Sequence, residues 1–230
     1  MSARDDILGG IRFALKRGPL PAETQAALAE RIAAHRRNLV PARTAALEHA
    51  GRVDLFVQMA EEVQTTVMRV ASEDDVSAEV ARYLAAENLP AELVMAPDPG
   101  LDTIPWDRRP LLQIRRGRAE PGDAVSLTSC LAAIAETGTL MLVSGPDTPT
   151  TLNFLPDTAI VIVRAGQVVV AYEDGWDLVR RLPALPRTVN FVTGPSRTGD
   201  IEQRIQLGAH GPRRLHLVLI EDEAGAPAAA

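Results

Sequence analysis

The sequence predicts an α/β fold in which a mostly parallel sheet carries helices on both faces. Short segments in the second half, such as TAIVIVRA and RRLHLVLIE, are apolar at consecutive positions instead of alternate ones. Strands of this kind belong to sheets that are covered on both sides. The first third of the chain has helical periodicity, and strand-like and helix-like segments follow it. We therefore expect a layered α/β core preceded by a helical segment.

The first third is predicted to contain three helices. Apolar residues recur at mostly helical spacing from Asp5 to Lys16, and the turn residues GPLP follow. A second helix is predicted from Ala22 to Asn38, before Pro41, and a third from Ala45 to Thr66. Residues 1–66 are expected to form a helical extension that packs on the core.

A βαβ unit is predicted after this extension. TTVMRVAS is typical of a strand, EDDVSAEVARYLAAEN of a helix with acidic residues in its first turn, and AELVMAP of a second strand. The next stretch, DPGLDTIPWDRRPLLQIRRGRAEPGD, has turn residues at both ends and no clear period, which predicts a long irregular connection. Its arginines either dock an acidic partner or form a solvated charge run. They are Arg108, Arg109, Arg115, Arg116 and Arg118.

The second half supplies the remaining elements. Strands are predicted at GTLMLVS, TAIVIVRA, QVVVAY, TVNFVTG and RRLHLVLIE, and helices at Gly175 to Arg181 and Gly199 to Leu207. Residues 67–222 are expected to form the α/β core, and residues 223–230, EAGAPAAA, a frayed tail.

Composition and charge exclude several classes of function. The chain has 230 residues with a net charge of −6, which argues against nonspecific binding of nucleic acid. Cys130 is the only cysteine, so neither an internal disulfide nor a thiolate-bound cluster is expected, and we predict a buried, inert thiol. No apolar run is long enough to span a bilayer, and MSARDDILGG does not resemble a secretory signal. A cytoplasmic location without a membrane span is the resulting expectation.

The stretch AAIAETGTLMLVSG places one carboxylate, Glu136, between apolar segments. A buried carboxylate requires a partner. Beside Thr137, Gly138 and Thr139, Glu136 has three interpretations. It is a nucleophile or general base at a strand end that Gly138 opens to a ligand, a structural carboxylate paired with an arginine such as Arg197, or a surface residue. The apolar neighbours on both sides favour the first two.

A second candidate site lies in NFVTGPSRTGDIEQRIQLGAHGP, which is predicted as a strand, a turn and a helix start. Ligands of α/β sheets bind beyond the carboxyl ends of strands, where helix N–H groups are free. Ser196, Arg197 and Thr198 are therefore a candidate anion site, with Arg197 forking onto a carboxylate or phosphate. Alternatively, Ser196 or Thr198 only caps the helix, whose dipole Asp200 and Glu202 already satisfy.

The four histidines give one further candidate. His210 follows Gly208 in a predicted turn and is either a general acid or base or a turn residue. His216 lies within LHLVLI and is expected to be a satisfied core histidine. His35 and His49 lie on early helices without a partner at metal-binding spacing, so no metal site is predicted.

Three segments, IAETGTLML, NFLPDTAIVIV and TGPSRTGDIEQRIQLGAHGPRRLHLVLI, together resemble the lactate utilization protein C family, also called the LUD domain family. The likeness covers mainly Ala124 to Ile220. It implies a fold like that of CoA-transferases and ribose-5-phosphate isomerases, and a role in oxidising L-lactate to pyruvate with two companion proteins that carry iron–sulfur clusters. The motif positions of the family correspond here to Glu136, Thr137, Gly138, Thr139, Gly194, Ser196, Arg197, Thr198, Asp200, Glu202, His210 and Gly211.

The leading hypothesis is therefore a component of a lactate-oxidising assembly that itself holds no cofactor. Glu136 and His210 are the candidate catalytic residues, and one of them moves a proton from the hydroxyl group of a small carboxylate substrate that Arg197 holds. Arg197 or His210 is expected to face Glu136 across a cleft. The candidate substrate-binding residues are Thr137, Gly138, Thr139, Gly194, Ser196, Arg197 and Thr198. The alternatives are a non-catalytic assembly or regulatory subunit, and a stand-alone CoA-transferase or isomerase that uses Glu136.

Overall fold

The computed structural model describes residues 2–16, 18–37, 40–201 and 204–221. It divides into two compact units, residues 1–39 and residues 40–230. The first unit contains α1 (Ala3–Ala14) and α2 (Ala22–Ala34). Helix α2 ends before its predicted limit because His35 has a positive φ of 43°, which stops the helix. The predicted end at Asn38 and the predicted tail at residues 223–230 lie outside the described residues.

The second unit begins with α3 (Ala42–Ala45) and α4 (His49–Glu62). The helix predicted from Ala45 to Thr66 corresponds to α4, which is shorter at both ends, and the short helix α3, which overlaps the predicted range only at Ala45, was not predicted. Helix α4 buries Val53, Phe56 and Ala60, which recur at helical spacing.

The larger of the two main sheets has six parallel strands in the order β1-β12-β7-β4-β2-β3. The strands are β1 (Thr66–Val70), β2 (Glu92–Met95), β3 (Gln113–Arg116), β4 (Val125–Ser129), β7 (Thr158–Arg164) and β12 (Arg214–Ile220). Helix α5 (Glu73–Ala86) connects β1 to β2, as the βαβ prediction requires. The predicted mostly parallel sheet is confirmed.

A second sheet of four strands, in the order β8-β5-β6-β9, is inserted between strands of the first. Its strands are β5 (Ala132–Ile134), β6 (Thr139–Val143), β8 (Val168–Val169) and β9 (Val189–Val192). Strands β5 and β6 form an antiparallel hairpin, and β9 pairs antiparallel with β6. Helices α6 (Thr151–Phe154) and α7 (Tyr172–Arg181) complete this region, and the helix predicted at Gly175 to Arg181 lies within α7.

The core lies on both faces of the six-stranded sheet. All seven residues of β7 are buried, and alternate residues enter different clusters: Ile160 and Ile162 pack with residues of α5, whereas Val161 and Val163 pack with residues of α4 and β6. This arrangement explains why the strand is apolar at consecutive positions. One face is thus covered by α5, and the other by α4 and the second sheet.

Two further predictions about secondary structure are wrong. The helix predicted from Gly199 to Leu207 is instead an antiparallel hairpin of β10 (Arg197–Ile201) and β11 (Arg204–Leu207). The RIQL of β11 alternates polar and apolar residues, which is a strand period, and this outweighs the helical spacing of Ile201 and Ile205. The predicted irregular connection contains β3, an edge strand whose only apolar residue is Ile114, so it lacked the apolar pattern of a strand.

Candidate functional site

Glu136 lies in the turn between β5 and β6, and so at the second sheet instead of at the carboxyl ends of the parallel strands. Its N–H donates to the Val170 carbonyl at 3.2 Å, and its own carbonyl accepts from Arg43 Nη2 at 2.9 Å. The side chain is half-buried. Within the described residues, its carboxylate makes no hydrogen bond or ion pair, so it is available to a ligand.

Glycines allow both candidate segments to rest on the end of α4. Gly138 has a φ of +63°, and a Cβ there would lie 2.4 Å from the Ala60 nitrogen. Gly194 has a φ of +77°, and a Cβ there would lie 2.6 Å from the Val63 carbonyl oxygen. No side chain fits at such distances, and the positive φ independently favours glycine. The Glu136 turn and the loop before Arg197 therefore meet at the same helix end.

Four hydroxyl groups join these two segments, and we call Thr137, Thr139, Tyr172 and Thr193 the hydroxyl cluster. Thr139 Oγ1 lies 2.7 Å from Thr137 Oγ1 and 2.7 Å from Thr193 Oγ1. The Tyr172 hydroxyl lies 3.0 Å from Thr137 Oγ1 and 3.1 Å from Thr139 Oγ1. Thr193 immediately precedes Gly194. The cluster thus links the Glu136 turn to the Arg197 loop.

Sequence reasoning missed Tyr172, Thr193 and Arg43. Tyr172 is one of only two tyrosines in the chain and begins α7. Its rarity and its position at a helix start are the signals that could have identified it as a candidate. Its ring packs against Phe191 on β9, with ring centres 5.2 Å apart. Arg43 carries no comparable signal, because 93 positions separate it from its acceptor Glu136.

Arg197 begins β10, so the helix start that was predicted to bind an anion is absent. Its Nη2 donates to the Val63 carbonyl at the end of α4. The guanidinium is exposed and pairs with no carboxylate among the described residues, and the same holds for Arg43. A guanidinium has five N–H donors, so both arginines keep donors for a ligand carboxylate. The Thr198 hydroxyl is buried and has no hydrogen-bond partner among the residues that the structure describes.

Ser196 is bonded to the turn that contains His210. The Ser196 N–H donates to the Pro212 carbonyl at 2.8 Å, and Ser196 Oγ accepts from the His210 N–H at 3.3 Å. Gly211 lies against Ser196 and against Phe154 of the NFLP segment. His210 thus contacts the loop through its main chain. Among the described residues, no hydrogen bond or ion pair joins Glu136 to Arg197 or His210. Asp200 lies in β10, and Glu202 lies outside the described residues.

The carboxyl ends of the parallel strands hold a different group of polar residues, which sequence reasoning also missed. Arg164, at the end of β7, donates to Glu73 at 2.6 Å and to the Gly100 carbonyl at 2.6 Å. Gln167 donates to the Cys130 carbonyl at 2.7 Å. These groups satisfy one another, so they hold α5 and the loop after β2 onto the sheet.

The remaining predictions concern the cysteine, the histidine and the arginines. Burial raises the pKa of Cys130 to about 12, as expected for an inert thiol. His216 is buried in the core as expected, and its Nδ1 forms a hydrogen bond with Thr66 Oγ1 at 2.8 Å. Among the described residues its Nε2 has no hydrogen-bond partner and lies 3.9 Å from Glu79 Oε1, so only one of the two ring nitrogens is satisfied. Three arginines of the basic run form ion pairs within the chain: Arg108 with Asp74, Arg115 with Asp123, and Arg116 with Asp102.

Neither a metal centre nor a membrane helix is found in the described part of the chain. No group of three or more His, Cys, Asp or Glu residues there is placed to hold a metal ion. No helix there combines the length and the apolar character needed to cross a bilayer.

Comparisons with known proteins give a consistent relationship. Residues 122–220 match the LUD domain family. Lactate utilization protein C from Bacillus subtilis is 33% identical over 102 residues, which are 43% of this chain and 42% of that protein. Lactate utilization protein C from Deinococcus radiodurans is 37% identical over 122 residues, which are 53% of this chain and 55% of that protein. The alignments thus span about half the length of these relatives.

A solved structure supports the fold. The crystal structure of a DUF162 family protein from Deinococcus radiodurans aligns with a TM-score of 0.59 and 25% sequence identity. The alignment covers 76% of this chain and 99% of that one. The matched family region, residues 122–220, contains every sequence-predicted site residue from Glu136 to His210.

Proposed function

We propose that this chain takes part in lactate utilization, because residues 122–220 match the LUD domain family and proteins named lactate utilization protein C are among its relatives. We propose that it is the component of an L-lactate-oxidising system that carries no cofactor, and that electrons leave the substrate through iron–sulfur companion proteins. The observation that carries this proposal is the meeting of two motif segments, at Glu136 and at Arg197, on the end of α4.

The proposed substrate is a small carboxylate held by guanidinium groups. Arg197 and Arg43 are both anchored through one N–H to a main-chain carbonyl, which fixes the guanidinium without neutralising it. An anchored, unpaired arginine is well suited to a carboxylate, because two parallel N–H groups fit the two carboxylate oxygens. The absence of a competing carboxylate on either arginine among the described residues supports this assignment.

Glu136 is the proposed proton acceptor for the substrate hydroxyl. Its carboxylate is half-buried, adjoins the hydroxyl cluster and makes no bond that would have to break first within the described residues. His210 is the second candidate, since it lies in the turn that bonds to Ser196. General base catalysis requires such a group within hydrogen-bond reach of the proton.

The companion proteins are proposed from the resemblance to the lactate utilization protein C family, and the cysteine content of this chain agrees with them. Iron–sulfur clusters need several thiolates, and this chain has a single cysteine, Cys130, whose thiol is buried. An electron path through clusters must then lie in other proteins.

The test is lactate-dependent reduction of a dye by this chain together with purified companion proteins. Arg197→Ala is expected to weaken substrate binding and to lower the rate, because the substrate carboxylate loses a charge-assisted hydrogen-bond partner. Arg187→Ala is the matched control, since Arg187 is an exposed arginine just before β9. Glu136→Gln is expected to abolish turnover while leaving binding intact.

The two alternatives give different outcomes. A non-catalytic assembly subunit supports the same rate with Arg197→Ala and Glu136→Gln as with the wild type, provided that the companions still bind. A stand-alone transferase reacts with an acyl-CoA without companions and loses this activity in Glu136→Gln. Either result overturns the proposal.

A further inference from the structure

The hydroxyl cluster has a hydrogen-bonding balance that restricts what can bind to it. Its four hydroxyl groups supply one hydrogen each. Its distances give four internal contacts: Thr137 with Thr139, each of these two with Tyr172, and Thr139 with Thr193. Each hydrogen bond consumes one hydrogen, so none is left when all four bonds form. The cluster then presents only lone pairs to its surroundings.

Solvent reaches three of the four residues. Thr193 is exposed, Thr137 and Tyr172 are half-buried, and Thr139 is buried. Thr137 follows Glu136, whose carbonyl holds Arg43, and Thr193 precedes the loop that carries Arg197. The cluster therefore adjoins the Glu136 turn, to which Arg43 donates, and the loop that leads to Arg197.

We infer that this site selects a small acid that carries a hydroxyl group over the corresponding acid that carries an oxo group. The inference rests on the proposed function, in which a guanidinium holds the ligand carboxylate. When a 2-hydroxy acid binds, its O–H donates to a free lone pair of Thr193 or Thr137, and this hydrogen turns to Glu136 only in the catalytic step. A 2-oxo acid has only lone pairs at the same carbon, so it binds there only if the cluster gives up one internal hydrogen bond.

The consequence is a site that holds the reduced member of a hydroxy/oxo pair and releases the oxidised member. No group of the cluster needs to move a proton for this selection. The selection arises because the hydroxyl hydrogens of the cluster already form internal hydrogen bonds. Two substitutions in the cluster are therefore expected to differ in their effect on pyruvate binding.

The first measurement is binding of L-lactate, pyruvate and propionate to the full chain by calorimetry or ligand-observed NMR. Propionate has the same carboxylate and no oxygen on the second carbon, so it reports carboxylate binding alone. L-lactate is expected to bind roughly threefold to tenfold more tightly than propionate, the effect of one hydrogen bond. Pyruvate is expected to bind no more tightly than propionate.

The decisive variant is Tyr172→Phe. It removes one hydrogen and two contacts, which leaves three hydrogens for the two remaining contacts. The freed hydrogen turns to the ligand, so pyruvate should bind more tightly than propionate in this variant. A role for Tyr172 in packing alone would weaken all three acids equally.

A second variant, Thr193→Val, removes one hydrogen and one contact and so leaves the cluster without a spare hydrogen. It also removes the exposed acceptor, so L-lactate should lose part of its advantage while pyruvate gains nothing. Thr188→Val is the matched control, because Thr188 is an exposed threonine just before β9 and lies outside the cluster.

The outcomes separate this inference from the proposed function. Pyruvate binding as tightly as L-lactate to the wild type, or an unchanged ratio of the three acids in Tyr172→Phe, overturns the inference and leaves the proposed carboxylate site intact. If none of the three acids binds, both the inference and the proposed substrate site are overturned.

Discussion

The side-chain oxygens of Thr139 and Thr193 lie 2.7 Å apart, although 54 positions separate the two residues in the sequence. The pair is possible because β6 and β9 are antiparallel neighbours. The residues next to it, Leu140 and Val192, lie opposite each other in the two strands. It fixes the Glu136 turn against the loop that leads to Arg197. The geometry of the candidate site therefore depends on the register of the second sheet and on the glycines that let both turns reach α4.

Gly138→Ala is expected to lower the free energy of unfolding by more than about 1 kcal/mol, because a steric clash and an unfavourable backbone conformation add together. The new Cβ would lie 2.4 Å from the Ala60 nitrogen, and the residue would keep a φ of +63°. Gly122→Ala is the matched control, since Gly122 also has a positive φ, +103°, but nothing lies within 4 Å of its Cβ position. Urea unfolding measures both variants. Equal losses of stability in the two variants would mean that the close contact between Gly138 and α4 does not contribute to the cost of the substitution.

The sequence pattern predicted the parallel core because its strands obey a simple rule. Strands β7 and β12 are apolar on both faces, and the structure buries both faces. Strand β4 was missed, although it is fully buried, because three of its five residues in VSLTS are polar. The Ser126 hydroxyl donates to the Leu152 carbonyl at 2.6 Å, so a buried polar residue is satisfied by a partner that no local pattern reveals.

The candidate site was predicted only in part for a similar reason. Glu136, Gly138 and Arg197 stand out locally, as a carboxylate among apolar residues, a turn glycine and an arginine in a loop. Tyr172 and Arg43 become part of the site only through contacts across the fold. Periodicity describes how an element buries its own side chains, and it does not encode which distant turns share a helix end.

Stability is expected to fall as the pH is lowered from about 6.5 to about 4, because of His216. Burial, with a smaller effect of Arg82, lowers the pKa of His216 from 6.5 to about 4. The ring stacks on Tyr83 at 3.8 Å between centres, and its Nε2 lies 3.9 Å from Glu79 Oε1. Between these pH values the unfolded chain binds a proton that the folded chain does not. The free energy of unfolding therefore falls by up to roughly 3 kcal/mol.

The measurement for His216 is the free energy of unfolding as a function of pH. His216→Phe retains a ring against Tyr83 and removes the titrating group, so its unfolding free energy should depend less on pH between 4 and 6.5. If wild type and variant show the same slope in this range, another group is responsible.

Cys130 is expected to resist alkylation by iodoacetamide at pH 8 in the folded protein. Its residue is 6% exposed, and burial raises the pKa of the thiol to about 12, so the reactive thiolate is scarce and shielded. Mass spectrometry should find no adduct until urea unfolds the chain, and complete modification afterwards. Rapid labelling of the folded protein would contradict the burial of this residue.

Arg164→Met is expected to destabilise the fold by about 3 to 5 kcal/mol, because it leaves the Glu73 carboxylate without its partner in a largely buried place. The Arg164 side chain is 7% exposed, and it also donates to the Gly100 carbonyl, so α5 and the loop after β2 lose a common anchor. Arg180→Met is the control, since Arg180 and Asp177 form an exposed pair at 2.9 Å that is worth at most about 1 kcal/mol. Urea unfolding of both variants decides the matter. A similar loss of stability in the two variants would mean that Arg164 acts as an ordinary surface charge. A large loss in Arg164→Met that Glu73→Gln partly restores would identify the unpaired carboxylate as its cause.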